Sequence, residues 1–237
     1  MIAKTRLAII VPALLAAAAT VLCGCTGRQV LDDRGLLGLT GNVRSVAFVH
    51  EDASNGLPPA FADTEGEVGF DTLGHIAYVN GMDFITGGDS IVIAASLGGR
   101  DDEAVCRRRQ DGAAVCYDGC AGTRMSGEDG QGSFALRAEF DSKGRLVRLD
   151  DEGLIGTLLG LWDWSGGSVR TFTYEGEDCF PAEETVAATF GGMETEGTVV
   201  YTYLSTDSVG NWTMREARFA GTGEAAFIER RQLDYWE

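Results

Sequence analysis

One short device recurs along this chain and restricts what it can become: a side chain for the sheet face, an aspartate, two variable residues, a glycine, one further residue and a second side chain for the same face. It reads "FDTLGHI" over 70–76, "FDSKGRL" over 140–146, "ADTEGEV" over 62–68 and "TDSVGNW" over 206–212. In a β-hairpin with a three-residue loop, Asp141 faces Arg145 and Phe140 faces Leu146. The glycine Gly144 then takes the left-handed conformation that a type I turn followed by a G1 bulge requires. The aspartate accepts hydrogen bonds from the turn amides. Phe70 and Ile76 meet in the same way, as do Ala62 and Val68, and Thr206 and Trp212. Asp129 and Asp163 share the Asp-x-x-Gly spacing without these flanks. An EF-hand would need carboxylates at alternate positions and a closing glutamate, which none of these stretches has. The device is therefore a maker of hairpins.

Between the turns lie short segments of period-two alternation, rich in β-branched and aromatic residues: "VRSVAFVH", "SIVIAAS", "EAVCRRR", "SFALRAEF", "GRLVRL", "SVRTFTY", "TVVYTYL", "NWTMREARF" and "AAFIERRQLDY". These are strands. Glycine, 33 residues against 4 prolines, fits many tight turns. Helical spacing shows in two places only, "GLIGTLLGLWDW" (153–164), with Ile155, Leu158, Leu159 and Trp162 in register, and "PAEETVAA" (181–188). The expected fold is mainly β, an antiparallel sheet built from successive β-hairpins with one or two short helices.

The N-terminus opens with Lys4 and Arg6, continues through the apolar run "LAIIVPALLAAAATVL" and closes on "LCGC". That is the layout of a secretory leader. Leu22-Cys23-Gly24-Cys25 resembles the bacterial lipobox, which implies cleavage after Gly24 and acylation, including palmitate, of Cys25. Residues 1–24 are thus read as a lipoprotein signal peptide, 25–42 as a tether without clear period and 43–237 as the β-hairpin domain. Removing the leader takes away two positive charges and no acid, so the formal charge moves from −17 to −19. Such a surface repels a phosphate backbone and argues against nucleic-acid binding.

Signatures of catalysis are missing. There is no GxSxG, HExxH, phosphate loop or Rossmann glycine pattern, and no catalytic residue, metal ligand or cofactor is assigned. His50 and His75, the only two histidines, read as surface strand residues. A hydrolase working through an acidic pair stays open because 36 acidic residues offer many pairs whose spatial separation alone is diagnostic. Trp162, Trp164 and Trp212 are candidates for a stacking surface; core packing is the other reading, most of all for Trp212.

Four cysteines lie in the exported domain, Cys106, Cys116, Cys120 and Cys179, where disulfides are permitted. A three-residue loop Gln110-Asp111-Gly112 would place Cys106 opposite Cys116, leaving Cys120 for Cys179. A Cys116–Cys120 bridge and free buried thiols are the alternatives.

"FDSKGRL" also resembles the Rhs or YD repeat. The C-terminal residues Tyr201, Tyr203, Gly210, Asn211, Trp212, Thr213, Arg215, Arg231 and Tyr235 are similar in order to the end of uncharacterised YD-repeat-like envelope lipoproteins, and "LTGNVRSVAF" to their first strand. The resemblance implies a hairpin array in the envelope and carries no activity. The expectation is a membrane-anchored envelope lipoprotein of the outer membrane, facing periplasm or surface. It would act as a non-catalytic binding or assembly module for an envelope protein or glycan; a glycan or peptide hydrolase is the alternative.

Overall fold

The computed structural model describes residues 32–51, 66–79, 82–87, 90–97, 100–122, 133–152, 167–190 and 193–237; within 82–106, 118–122 and 133–134, and at 190 and 193, only the backbone enters the description. These residues form fourteen strands: β1 (Val43–Glu51), β2 (Gly66–Phe70), β3 (Ile76–Val79), β4 (Met82–Gly87), β5 (Ser90–Leu97), β6 (Arg100–Asp111), β7 (Ala114–Gly122), β8 (Ser133–Phe140), β9 (Leu146–Asp151), β10 (Ser168–Thr173), β11 (Glu183–Phe190), β12 (Met193–Thr206), β13 (Trp212–Phe219) and β14 (Ala225–Tyr235). Each pairs antiparallel with its chain neighbour, and β1 pairs with β14, so the sheet closes into a barrel without a free edge. The mainly β, hairpin-by-hairpin fold expected from the sequence is the observed one.

The recurrent turns close hairpins as the spacing requires. Phe70 faces Ile76, Phe140 faces Leu146 and Thr206 faces Trp212, each beside a register shift. Gly74, Gly144 and Gly210 have φ of 86°, 76° and 96°. Asp141 Oδ1 accepts from the amides of Lys143 and Arg145, Asp71 Oδ1 from those of Leu73 and His75, and Asp207 Oδ1 from those of Val209, Gly210 and Asn211. The copy at Asp63 lies outside the described residues.

An even number of strands returns both ends of the sheet to one rim. The turns β2–β3, β6–β7, β8–β9, β10–β11 and β12–β13 lie on that rim, together with the start of β1 and the end of β14. Fourteen strands enclose a space too wide for strand side chains alone to fill, and here the chain just before β1 fills one end of it. Asp33–Leu37 is a turn of 3-10 helix, capped by Asp32 at its start and by Gly38 in the left-handed conformation at its end. Leu36, Leu37 and Leu39 pack on Val43, Val46, Val68, Phe70, Val115, Tyr117, Leu136, Ala138 and Phe140 in one cluster. Asp33, fully buried, accepts from Arg108 at 2.7 and 2.8 Å and from the amide of Ile76 at 3.0 Å. Arg34 donates to the carbonyls of Val43 and Asp71. Residues 32–42 of the stretch read as a tether thus form a plug in the mouth of the barrel.

The outward face is charged along its described height. Arg137 pairs with Glu139, Arg148 with Asp150, Arg218 with Glu216, Arg230 with Glu51 and Arg44 with Asp234. An arginine on the lipid face of a membrane-spanning barrel costs roughly 2–4 kcal/mol at mid-depth. Repeated from rim to rim, that cost makes these strands fit for water and not for hydrocarbon.

Of the two expected helices, "PAEETVAA" is instead the start of β11. Glu184, Val186 and Ala188 are buried while Ala187 and Thr189 are exposed, a period of two that overrides the weak helical start after Pro181. The stretch 153–164 lies outside the described residues.

Candidate functional site in the barrel interior

Beyond the plug, the interior lined by β10 to β14 and β1 carries charge. Alternation puts Tyr201 and Tyr203 of β12, Arg215 and Ala217 of β13, and Phe227, Glu229 and Arg231 of β14 on the inward face, with Glu184 and Val186 of β11 and Arg170 of β10 beside them. Arg215 donates to Glu229 Oε2 through Nε at 2.7 Å and through Nη2 at 2.6 Å. Its guanidinium lies 3.7 Å from the ring centre of Tyr201 and 4.4 Å from that of Trp212. Tyr201 donates to Glu184 Oε2 at 2.5 Å, and Arg170 Nη1 to Glu184 Oε1 at 2.9 Å. Tyr203 donates to the carbonyl of Pro181 at 2.6 Å, which holds the β10–β11 loop against the interior.

Electrostatics follow from this packing. Burial alone would raise the Glu229 carboxyl, but Arg215 chiefly, with His50 and Arg231, holds it well below the usual carboxylate range. For Arg215, burial works against the cation and Glu229 more than restores it. The hydroxyl of Tyr201 is pushed well up by burial. Arg231 differs: burial brings it down to about 10, because Glu229 offsets the loss of water only in part and Arg215 repels it.

Geometry gives the reason. Glu229 Oε2 is taken by Arg215, while Arg231 Nε stands 3.8 Å from Glu229 Oε1, too far for a hydrogen bond. That Nε is buried and has no hydrogen-bond partner. Arg231 is otherwise held by the carbonyl of Leu37, which its Nη1 reaches at 2.9 Å, and by the Trp212 ring, 3.6 Å away. Two guanidinium groups therefore share one carboxylate around Glu229.

His50 is not the surface residue its strand position suggested. It faces inward, stacks on Phe227 with ring centres 4.4 Å apart and has Nε2 3.7 Å from Glu229 Oε2. His75 lies at the rim, 3.5 Å from Asp71. Of the tryptophans, Trp212 is buried at 2% exposure between Arg215 and Arg231; Trp162 and Trp164 lie outside the described residues, as does Cys25. No group of acidic, histidine or cysteine residues able to hold a metal ion occurs among the described residues.

The Cys106–Cys116 bridge is corrected. Cys116 is a free, buried thiol, and the β6–β7 loop has two residues, Gly112 and Ala113, between the paired Asp111 and Ala114. One residue fewer moves the register, so Cys116 faces Arg109, and Cys106 falls at the shift between Val105 and Arg107. Cys179 is disulfide-bonded; the side chain of Cys120, its expected partner, is not among those described.

Arg170, Glu184, Arg215, Glu229 and Arg231 have no catalytic or metal-binding spacing, so motif searching passes over them. The available signal was alternation: Phe227, Glu229, Arg231, Leu233 and Tyr235 share one face of β14, which places two charges within an otherwise apolar row.

No family model matches the chain, and no curated protein matches it. Among solved structures, it is similar to a porin-like protein from Bacteroides vulgatus ATCC 8482, at 12% identity over 82% of this chain and 98% of that one, with a TM-score of 0.39. A porin-like protein from Bacteroides uniformis ATCC 8492 matches at 8% identity over 83% and 99%, with a TM-score of 0.27. Likenesses this distant carry nothing about function. The resemblance to YD repeats is overturned: no family model matches the chain, and the aspartate–glycine device recurs because one closed meander uses the same hairpin turn several times.

Proposed function

We propose that this protein is a non-catalytic binding module of the bacterial envelope, anchored through a lipid on Cys25, whose barrel interior takes the anionic group of a small ligand at Arg231. The observation that carries the reading is the buried Arg231 Nε without a partner, beside a carboxylate already taken by Arg215. A buried cation short of hydrogen bonds is costly and gains most from an incoming carboxylate or phosphate. Tyr203, half-buried and 6.1 Å from Trp212, provides a face on which a sugar ring or an amide plane can stack. An acidic sugar or a peptide carboxylate combines both chemistries. The charged outer face supports a barrel whose wall stands in water and which is held to the membrane by its lipid.

A hydrolase fits the interior poorly. A general acid needs a carboxyl held above its usual range, whereas Glu229 is held below it and Glu184 is engaged by both Arg170 and Tyr201.

Thermal unfolding in the presence of glucuronate, succinate and inorganic phosphate tests the proposal. Saturation at a hundredfold excess over Kd would add about 2.7 kcal/mol. At least one of the three is expected to raise Tm in the wild type and not in Arg231→Gln; an unchanged Tm with all three, or a rise that survives the substitution, refutes anion binding at Arg231.

A further inference from the structure

The rim that carries the plug also carries two exposed apolar tips. Leu73, at the tip of the β2–β3 turn, is 73% exposed, and Val209, at the tip of β12–β13, is 46% exposed. Both flank the chain that leads to the N-terminus. The amide of Asp33 donates to the carbonyl of Gly74, and a Cβ at Gly74 would collide with the Asp32 carboxylate. A Cβ at Gly41 would lie 2.8 Å from Val209. Asn211, next to that second turn, clasps Thr40: its Oδ1 accepts from the Thr40 amide at 2.7 Å and its Nδ2 donates to the Thr40 carbonyl at 2.9 Å.

We infer that this plugged rim rests on the bilayer, with Leu73 and Val209 set into its interface. The inference rests on the Cys25 anchor proposed above. Asp32 follows Cys25 by seven residues, which span at most about 25 Å when fully extended. Strand β12 has 14 residues and runs roughly 47 Å along its own axis. The tether is too short to bring the opposite rim to the membrane, and the charged outer wall is unsuited to lying on it. Asp111 and Glu177, exposed on the same rim, are acidic, so the contact is apolar and needs no anionic lipid. The charged interior beyond the plug then lies on the side away from the membrane.

The test is amide hydrogen exchange, read by mass spectrometry, on the acylated full chain bound to phosphatidylcholine vesicles and on the soluble Cys25→Ala chain. Segments 72–75 and 208–211 are expected to exchange several-fold more slowly on vesicles, while 221–224 on the opposite rim keeps its rate. The double variant Leu73→Asp, Val209→Asp is expected to stay on vesicles yet lose that slowing. Slowing at 221–224, no difference between the rims, or slowing that survives in the double variant overturns the orientation while the anchor stands. An acylated chain that does not float with vesicles overturns anchor and orientation together.

Discussion

Arg231 lies with its guanidinium 3.6 Å from the ring centre of Trp212 while its Nε has no hydrogen-bond partner. Across the same ring Arg215 is fully engaged by Glu229. Two arginines on one tryptophan with one carboxylate between them make an asymmetric cluster, and the asymmetry can be measured.

Removing the carboxylate strands two buried cations, whereas removing Arg231 leaves the Arg215–Glu229 pair complete. Glu229→Gln is expected to destabilise the barrel by about 3 kcal/mol or more, the usual cost of breaking a buried pair from one side. Arg231→Met, which keeps the flexible apolar stem against Trp212, is expected to cost less than about 1 kcal/mol or to stabilise. Urea denaturation of both variants decides; the reverse order would mean that Arg231 is the true partner of Glu229.

The same carboxylate gives a pH signature. Its folded pKa lies below the ordinary value of 4.5, so the unfolded chain binds the proton first. The stabilisation is complete above that value and drains away as pH falls toward the folded one, by about 1.4 kcal/mol per pH unit. The stability difference between wild type and Glu229→Gln should therefore be flat above about pH 5 and shrink between pH 5 and 3. A difference that stays constant through that window would show that Glu229 is not held ionised by Arg215.

At the β8–β9 turn, Gly144→Val is expected to destabilise by about 1–3 kcal/mol, because a β-branched residue is strained at positive φ. Gly144 sits at φ 76°. Lys143→Ala removes exposed contacts with Glu177 and the Gly176 carbonyl and should cost less than about 1 kcal/mol. Equal melting temperatures for the two variants would contradict the turn.

The hairpins were legible because each turn writes its own geometry into five consecutive residues, from Asp141 to Arg145 or from Asp207 to Asn211. Closure was not legible. Nothing in "VRSVAFVH" or "AAFIERRQLDY" says that the first and last strands pair, since that contact costs no local residue its preferred conformation. The plug escaped for another reason: Leu36, Leu37 and Leu39 have no period of their own and are shaped by the mouth they fill. Tyr201, Tyr203, Trp212, Arg215 and Arg231 stand out in the sequence only within the likeness to YD repeats, which does not hold and implies no site; that they meet in space is seen in the fold alone. Only the fold shows that Glu184, Glu229 and His50 join them.

Anchoring has its own test. Cys25→Ala is expected to leave the protein soluble or aberrantly processed, since the residues before Cys25 are the only ones that fit a lipobox. Fractionation should move the chain out of the membrane pellet, and mass spectrometry of the wild type should find an acylated Cys25 at the mature terminus. A mature terminus elsewhere without acyl groups would remove the anchor.

The β6–β7 turn supplies the last prediction, because a register differing by one residue changes the chemistry of a cysteine. With Asp111 opposite Ala114, Cys116 is paired with Arg109 on one side and Arg137 on the other, and Arg137 Nη1 lies 3.5 Å from its sulfur. Neither neighbour is a thiol, and the residue is 4% exposed. Reactivity needs both thiolate character and access, and burial denies the access despite the nearby guanidinium. Cys116 is therefore expected to resist a maleimide in the native protein and to be labelled once urea unfolds the barrel. Non-reducing peptide maps should show it unlinked. Recovery of a Cys106–Cys116 peptide would require a three-residue loop at Gly112 and would displace the pairing of β6 with β7 along its whole length.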